Sequence, residues 1–128
     1  MPQKKKVLVV DDDPDFLDSV VALLERSGFE VIGAADGDEA IASTRAERPD
    51  AVVLDVMMPR KDGYTACAEL KADPATADVP ILLLTAVGSH VTSTRFTHHD
   101  GLTTTADDYL DKGCEPEDIL ARVKALLE

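Results

Sequence analysis

Five polar side chains stand where apolar runs stop. Val7-Leu8-Val9-Val10 runs into Asp11-Asp12, Ala51-Val52-Val53-Leu54 into Asp55, Ile81-Leu82-Leu83-Leu84 into Thr85, and Asp108-Tyr109-Leu110-Asp111 into Lys112. A charge that closes an apolar strand costs several kcal/mol if it is buried alone, so each of these acids needs solvent or a partner. If the four runs are parallel neighbours, their carboxyl ends share one edge, where open α/β sheets place their ligands. Carboxylates brought together there repel by up to roughly 4 kcal/mol for a pair at 4 Å and an effective dielectric near 20. Lys112 offers one compensating charge, and a hard divalent cation bound through oxygens offers two more. Mg²⁺ suits the set, because it takes one or two carboxylates and completes its octahedron with waters and phosphate oxygens. A carboxylate beside Mg²⁺, an ammonium and a hydroxyl is equipped to attack phosphorus.

The elements that must position these residues are legible in the periodicity. Short continuous apolar runs cut off by turn residues are what strands covered on both faces look like. After the first run, Asp12 or Asp13 can cap a helix that Pro14 opens, with Phe16, Leu17, Val20, Val21, Leu23 and Leu24 on one face and Ser27-Gly28 as its stop. Phe29 to Ala34 reads as a strand, and Asp38 to Arg48 as a helix with Ala40, Ile41 and Thr44 inward. The Asp55 strand breaks at Met58-Pro59 and turns at Asp62-Gly63. Tyr64 to Ala72 is a third helix, Val79 to Leu84 a fourth strand, and Asp108 to Asp111 a weaker fifth. Pro116 opens a last helix with Ile119, Leu120, Val123, Leu126 and Leu127 on its apolar face. The alternation predicts α/β architecture, one parallel sheet with helices on both faces, in a single domain over residues 1–128. Residues 87–106 break the rhythm. They are rich in Thr, Ser, Gly and His, carry no 3.6-residue stripe, and predict a long loop in place of a fourth helix.

Composition narrows the function classes. The chain has 128 residues, 13 Lys plus Arg against 25 Asp plus Glu, and a net charge of −12. Such a balance excludes nucleic-acid binding by this domain itself, because phosphate recognition needs a basic face. It suits cations or a basic partner patch. No apolar run approaches the ~20 residues needed to cross a membrane. Lys4-Lys5-Lys6 reads as a solvated lead-in to the first strand, and no signal peptide is expected. Cys67 and Cys114 lack metal-ligand spacing and read as reduced packing thiols of a cytoplasmic protein. His90, His98 and His99 read as parts of a solvated loop, since no strand or helix fixes their geometry.

Together, Val9-Val10-Asp11-Asp12-Asp13-Pro14, Leu54-Asp55-Val56-Met57-Met58-Pro59 with Asp62-Gly63, Leu84-Thr85-Ala86 and Asp107-Asp108-Tyr109-Leu110-Asp111-Lys112 resemble the response-regulator receiver domain of two-component signalling. The resemblance covers the chain except roughly residues 87 to 106. It implies a flavodoxin-like sheet of order 2-1-3-4-5. It also implies that Asp55 is the phosphoacceptor for a histidine kinase's phosphohistidine or a phosphotransfer protein. Mg²⁺ would be held by Asp12, Asp55 and the Met57 carbonyl, with Asp11 acting mainly through a bound water. Thr85 matches the hydroxyl drawn toward the phosphoryl group, Lys112 the lysine that pairs with it, and Tyr109 the aromatic whose rotamer reports the Thr85 position. The partners implied are a sensor kinase and a downstream effector protein. The product is a conformational switch with self-catalysed transfer and hydrolysis, not a metabolic enzyme.

Two departures from the family pattern bear on function. Gly113 stands where a proline in a cis bond normally follows the lysine. Cis costs about 2.5 to 4 kcal/mol without proline, so a trans bond and a less firmly placed Lys112 are expected. The altered segment after Ala86 puts the usual output face in question. Both departures admit a degenerate receiver that acts as a phosphorylation-independent interaction module. An aspartyl-phosphate hydrolase of the haloacid dehalogenase type is disfavoured because Met57 stands where that class needs a second Asp. A flavin or nucleotide binder is disfavoured because no glycine-rich loop follows the first strand. Met57 and Val87 lie two residues beyond Asp55 and Thr85, where polar side chains can orient a hydrolytic water. With both apolar, the phosphorylated chain is expected to lose its phosphate slowly. Radiolabel decay as fast as in quick chemotaxis-type receivers would contradict this.

Overall fold

A computed structural model describes residues 4–57, 62–85 and 106–127. The expected loop in place of a fourth helix, the Met58-Pro59 break, Val87 and the three histidines lie outside the described residues. Five strands form one parallel sheet: β1 (Lys6–Val10), β2 (Glu30–Ala34), β3 (Ala51–Asp55), β4 (Ile81–Thr85) and β5 (Asp108–Asp111). Their spatial order is β2-β1-β3-β4-β5, the flavodoxin-like order expected. Four helices are described: α1 (Pro14–Arg26), α2 (Gly37–Glu47), α3 (Gly63–Ala72) and α4 (Pro116–Leu126).

Strand alternation sorts the core into two layers. Leu8, Val10, Val52, Leu54, Ile81 and Leu83 point to one face and pack on Ala40 and Ile41 of α2 and Ala66, Cys67 and Leu70 of α3. Val7, Val9, Val53, Leu82 and Leu84 point to the other, against Val20 and Leu24 of α1 and Ile119 and Val123 of α4. Each of these buried aliphatic side chains contributes about 1.5–3 kcal/mol relative to exposure. β1, β3 and β4 are covered on both sides, which is why they read as unbroken apolar runs. β5 is short, at the sheet edge and only half buried.

Caps set where the helices begin. The Asp13 carboxylate accepts from the Asp15 N–H at 3.0 Å ahead of Pro14, Asp36 caps α2 through Glu39 N at 2.9 Å, and Asp62 caps α3 through Thr65 N at 2.8 Å. α1 closes through Gly28, whose φ of +99° suits a residue without Cβ. β4 begins at Ile81 rather than Val79, because Pro80 has no N–H to give to the ladder. The Val79 carbonyl instead accepts from Lys71 Nζ at 2.8 Å, and the same ammonium pairs with Asp107 at 2.9 Å. Lys6 is not a solvated lead-in. It opens β1, and its ammonium meets Glu47 at 3.2 Å and Glu30 at 3.8 Å. No described helix is long and apolar enough to cross a membrane.

Parallel register brings the strand ends level. Val10 pairs with Leu54, Asp55 with Leu84, and Thr85 with Asp111. Gly63 then clasps the end of β3: its N–H donates to the Val56 carbonyl at 3.0 Å, and a Cβ there would lie 2.7 Å from Val56 Cα and 2.9 Å from the Asp55 carbonyl carbon. Neither backbone atom can step aside as a flexible side chain would. Gly63→Ala is therefore expected to cost about 1–3 kcal/mol in chemical denaturation. Gly33→Ala, whose Cβ would meet nothing nearer than the flexible Leu17 side chain at 3.4 Å, should change stability by less than about 0.5 kcal/mol. Equal losses at the two positions would contradict the close approach at Gly63.

Candidate functional site

The carboxyl edge of the sheet gathers the residues that the sequence singles out. Asp11 follows β1 and is buried, with its N–H bonded to the Ala34 carbonyl of β2 at 3.0 Å. Asp55 is the last residue of β3, and its side chain is only 1% exposed. Asp12 stands exposed beside them. One carboxylate oxygen from each of Asp11, Asp12 and Asp55 lies within 4.8 Å of the others, a spacing able to hold a metal ion.

Lys112 crosses this group. Its Nζ lies 3.1 Å from Asp55 Oδ2 and 2.9 Å from Asp11 Oδ2, and it donates to Asp11 Oδ1 at 3.2 Å. The backbone holds the lysine from below: its N–H donates to the Thr85 carbonyl at 2.7 Å, continuing the β4–β5 ladder by one residue. No cis peptide bond occurs among the described residues, so the bond into Gly113 is trans as expected. In place of a ring constraint, Asp111 turns the chain. Its Oδ1 accepts from the Gly113 N–H at 2.8 Å, and its carbonyl accepts from Cys114 N at 3.0 Å.

Each carboxylate is partly satisfied. Asp55 Oδ1 accepts from the Met57 N–H at 3.2 Å, and Asp11 Oδ1 accepts from the Asp13 N–H at 2.8 Å. Asp11 Oδ2 is buried and, although close to the ammonium, has no hydrogen bond of adequate geometry. A buried anionic oxygen that makes no well-aligned hydrogen bond, beside two further carboxylates, fits a hard oxygen-seeking cation. Burial and the neighbouring Asp11 charge raise the Asp55 carboxyl above its ordinary range, while Lys112 and the Met57 N–H pull it only partly back. Burial alone would lower the Lys112 ammonium. The hydrogen bonds and charges of Asp11 and Asp55 outweigh that and raise it.

Thr85 ends β4, buried, one residue past the Leu84 that pairs with Asp55. Tyr109 lies in β5, half buried against the core layer that includes Cys67 and Tyr64. Burial first, then those two groups, raise its phenol. Met57 is the exposed large apolar side chain of the described residues, 64% exposed at the mouth of the site. Cys67 is buried and Cys114 half buried, and neither is in a disulfide. Two contributors escaped the sequence reading. Gly63 reads as a turn residue, and its contact with the Asp55 backbone has no one-dimensional signal. Phe16 reads as one more apolar position of α1, yet its ring centroid lies 4.9 Å from Lys112 Nζ.

Comparison with known proteins agrees with this geometry. The family model for the response regulator receiver domain matches residues 7–124. The DNA-binding dual master transcriptional regulator RpaA of Synechocystis sp. is 42% identical over 122 residues, covering 95% of this chain and 48% of that protein. The chain thus spans about half the length of the curated relatives it matches, whose names are those of regulators rather than metabolic enzymes. Among solved structures, the signal receiver domain of a signal transduction histidine kinase from Syntrophus aciditrophicus superposes with a TM-score of 0.83 at 32% identity, covering 96% of this chain and 89% of that one. The receiver domain of sensor histidine kinase PA1611 from Pseudomonas aeruginosa PAO1, whose active site cleft coordinates a magnesium ion, gives 0.82 at 27% identity and covers 97% and 98%. With the family model matched over residues 7–124 of the 128, the chain belongs to the response-regulator receiver domains.

Proposed function

We propose that Asp55 is the phosphoacceptor of a two-component relay, taking a phosphoryl group from the phosphohistidine of a sensor histidine kinase or a phosphotransfer protein. The reading is carried by one observation: the Asp11, Asp12 and Asp55 carboxylates converge within 4.8 Å while Lys112 Nζ spans Asp11 and Asp55. Asp11, Asp12, Asp55 and the Met57 carbonyl would hold Mg²⁺. When bound, the ion neutralises charge on the carboxylates and on the oxygens of the incoming phosphoryl group.

The chain's own residues do the rest. An Asp55 carboxylate oxygen attacks phosphorus. The new O–P bond forms as the P–N bond breaks, and the electron pair goes to the ring, which leaves as neutral imidazole when its other nitrogen carries a proton. Lys112 already touches Asp55 Oδ2 and meets the transferred oxygens without a large movement. The Thr85 hydroxyl donates to one of them. The acyl phosphate adds charge and acceptor oxygens at the strand edge, so Thr85 and Lys112 shift toward it and Tyr109 takes up the space left behind. A downstream effector protein reads this change. The phosphorylation-independent module loses the support of Gly113, because a lysine followed by glycine still reaches Asp55.

The direct test is incubation with acetyl phosphate and Mg²⁺, read by intact mass. One phosphoryl group should add to the natural chain and none to Asp55→Asn; equal addition to both would refute Asp55 as acceptor. A second outcome follows from the raised Asp55 carboxyl. Ionising it costs the folded chain stability, so its contribution is whole below the ordinary value of 3.8 and is lost as pH rises through the higher folded value. In metal-free buffer at neutral pH, Asp55→Asn should therefore melt above the natural chain, with the gap closing as pH falls toward 4. A variant that melts lower at neutral pH would contradict the crowding of charge.

A further inference from the structure

Lys112 carries its ammonium on a flexible four-carbon stem, and the turn through Asp111 and Gly113 restrains its backbone rather than that stem. Asp11 and Asp55 hold the ammonium at its tip through hydrogen bonds and leave the path of the stem to other contacts. The ring of Phe16 supplies a wall. Its centroid lies 4.9 Å from Nζ, within the ~6 Å over which an aromatic face attracts a cation. Two features anchor the ring. Phe16 sits in the first turn of α1, fixed by the Asp13 cap and Pro14, and it packs on the layer formed by Val20, Leu24, Ile119 and Val123. Lys112 is 25% exposed, so the ring also closes one way by which water would reach the ammonium.

We infer that Phe16 is a positioning residue for Lys112, its ring face holding the ammonium across the pocket on the line between Asp11 and Asp55. The inference rests on the phosphoacceptor reading above for its consequence, though not for the contact itself. An ammonium held there meets a phosphoryl group on Asp55 without first giving up rotational freedom, which speeds transfer.

The test uses the full chain with Phe16→Leu, which keeps an apolar side chain, and Phe16→Tyr, which keeps the ring. The first readout is acylation of Lys112 by an amine-reactive ester in metal-free buffer, followed by peptide mass spectrometry. The second is the phosphorylation rate with acetyl phosphate at saturating Mg²⁺. Phe16→Leu should raise Lys112 labelling and slow phosphorylation, each by about threefold to tenfold, with Phe16→Tyr near the natural chain in both. A purely packing role predicts that Leu and Tyr label alike, and that result overturns the inference; so does different labelling when all three chains accept the phosphoryl group at the same measurable rate. If Phe16→Leu melts far below the natural chain, Phe16→Met takes its place under the same criteria. Should the natural chain accept no phosphoryl group while Lys112 labelling still separates Leu from Tyr, the phosphoacceptor reading falls and the hold of Phe16 on the lysine stands.

Discussion

The structure turns on two buried carboxylates, Asp11 and Asp55, that share a single ammonium. Their side chains are 0% and 1% exposed, and Asp12 adds a third negative charge at the rim. One Lys112 cannot neutralise that set: burial first, and then the Asp11 charge, keep the Asp55 carboxyl raised in spite of it. Burying an ion pair is costly in itself, so such a cluster adds little to folding. Its use is electrostatic: a pocket left negative by design draws in a cation, and the cation together with Lys112 makes room for a phosphoryl group that would otherwise be repelled.

Topology makes the cluster unavoidable. Parallel strands of order β2-β1-β3-β4-β5 put the residues after β1, β3, β4 and β5 on the same edge, and the register sets Val10, Leu54, Leu83 and Tyr109 level with one another. The surroundings then limit movement. Gly63 presses α3 against the end of β3, Asp13 folds back on Asp11, and the Thr85 carbonyl grips the Lys112 backbone. Asp55 thus sits on a braced strand end, with Thr85 and Lys112 at the neighbouring strand ends.

Much of this was legible in one dimension, for a physical reason. A strand covered on both faces must be apolar throughout, so β1, β3 and β4 declare themselves, and an acid or hydroxyl at the end of such a run is conspicuous. Helix starts were legible because a capping aspartate and a proline act locally, as at Asp13-Pro14. The details that failed to show depend on distant partners. Pro80 delays β4 by removing a donor, Lys6 finds Glu47 some forty residues away, and Gly63 is needed for its contact with Asp55 rather than for a turn. Asp111 restrains the chain after the lysine in a way that a missing proline would not suggest. Phe16 illustrates the limit: helical spacing marks it as apolar, but only the assembled sheet reveals the cation above its ring.

The central claim is that crowded carboxylates await a divalent cation, and thermal melting against magnesium concentration tests it most directly. At ten times the dissociation constant, Mg²⁺ should stabilise the chain by about 1.4 kcal/mol, a rise of about 5 °C for a domain of this size. The rise should be largely absent when both Asp12 and Asp55 are replaced by Asn. A melting temperature indifferent to Mg²⁺ in the natural chain would contradict the account.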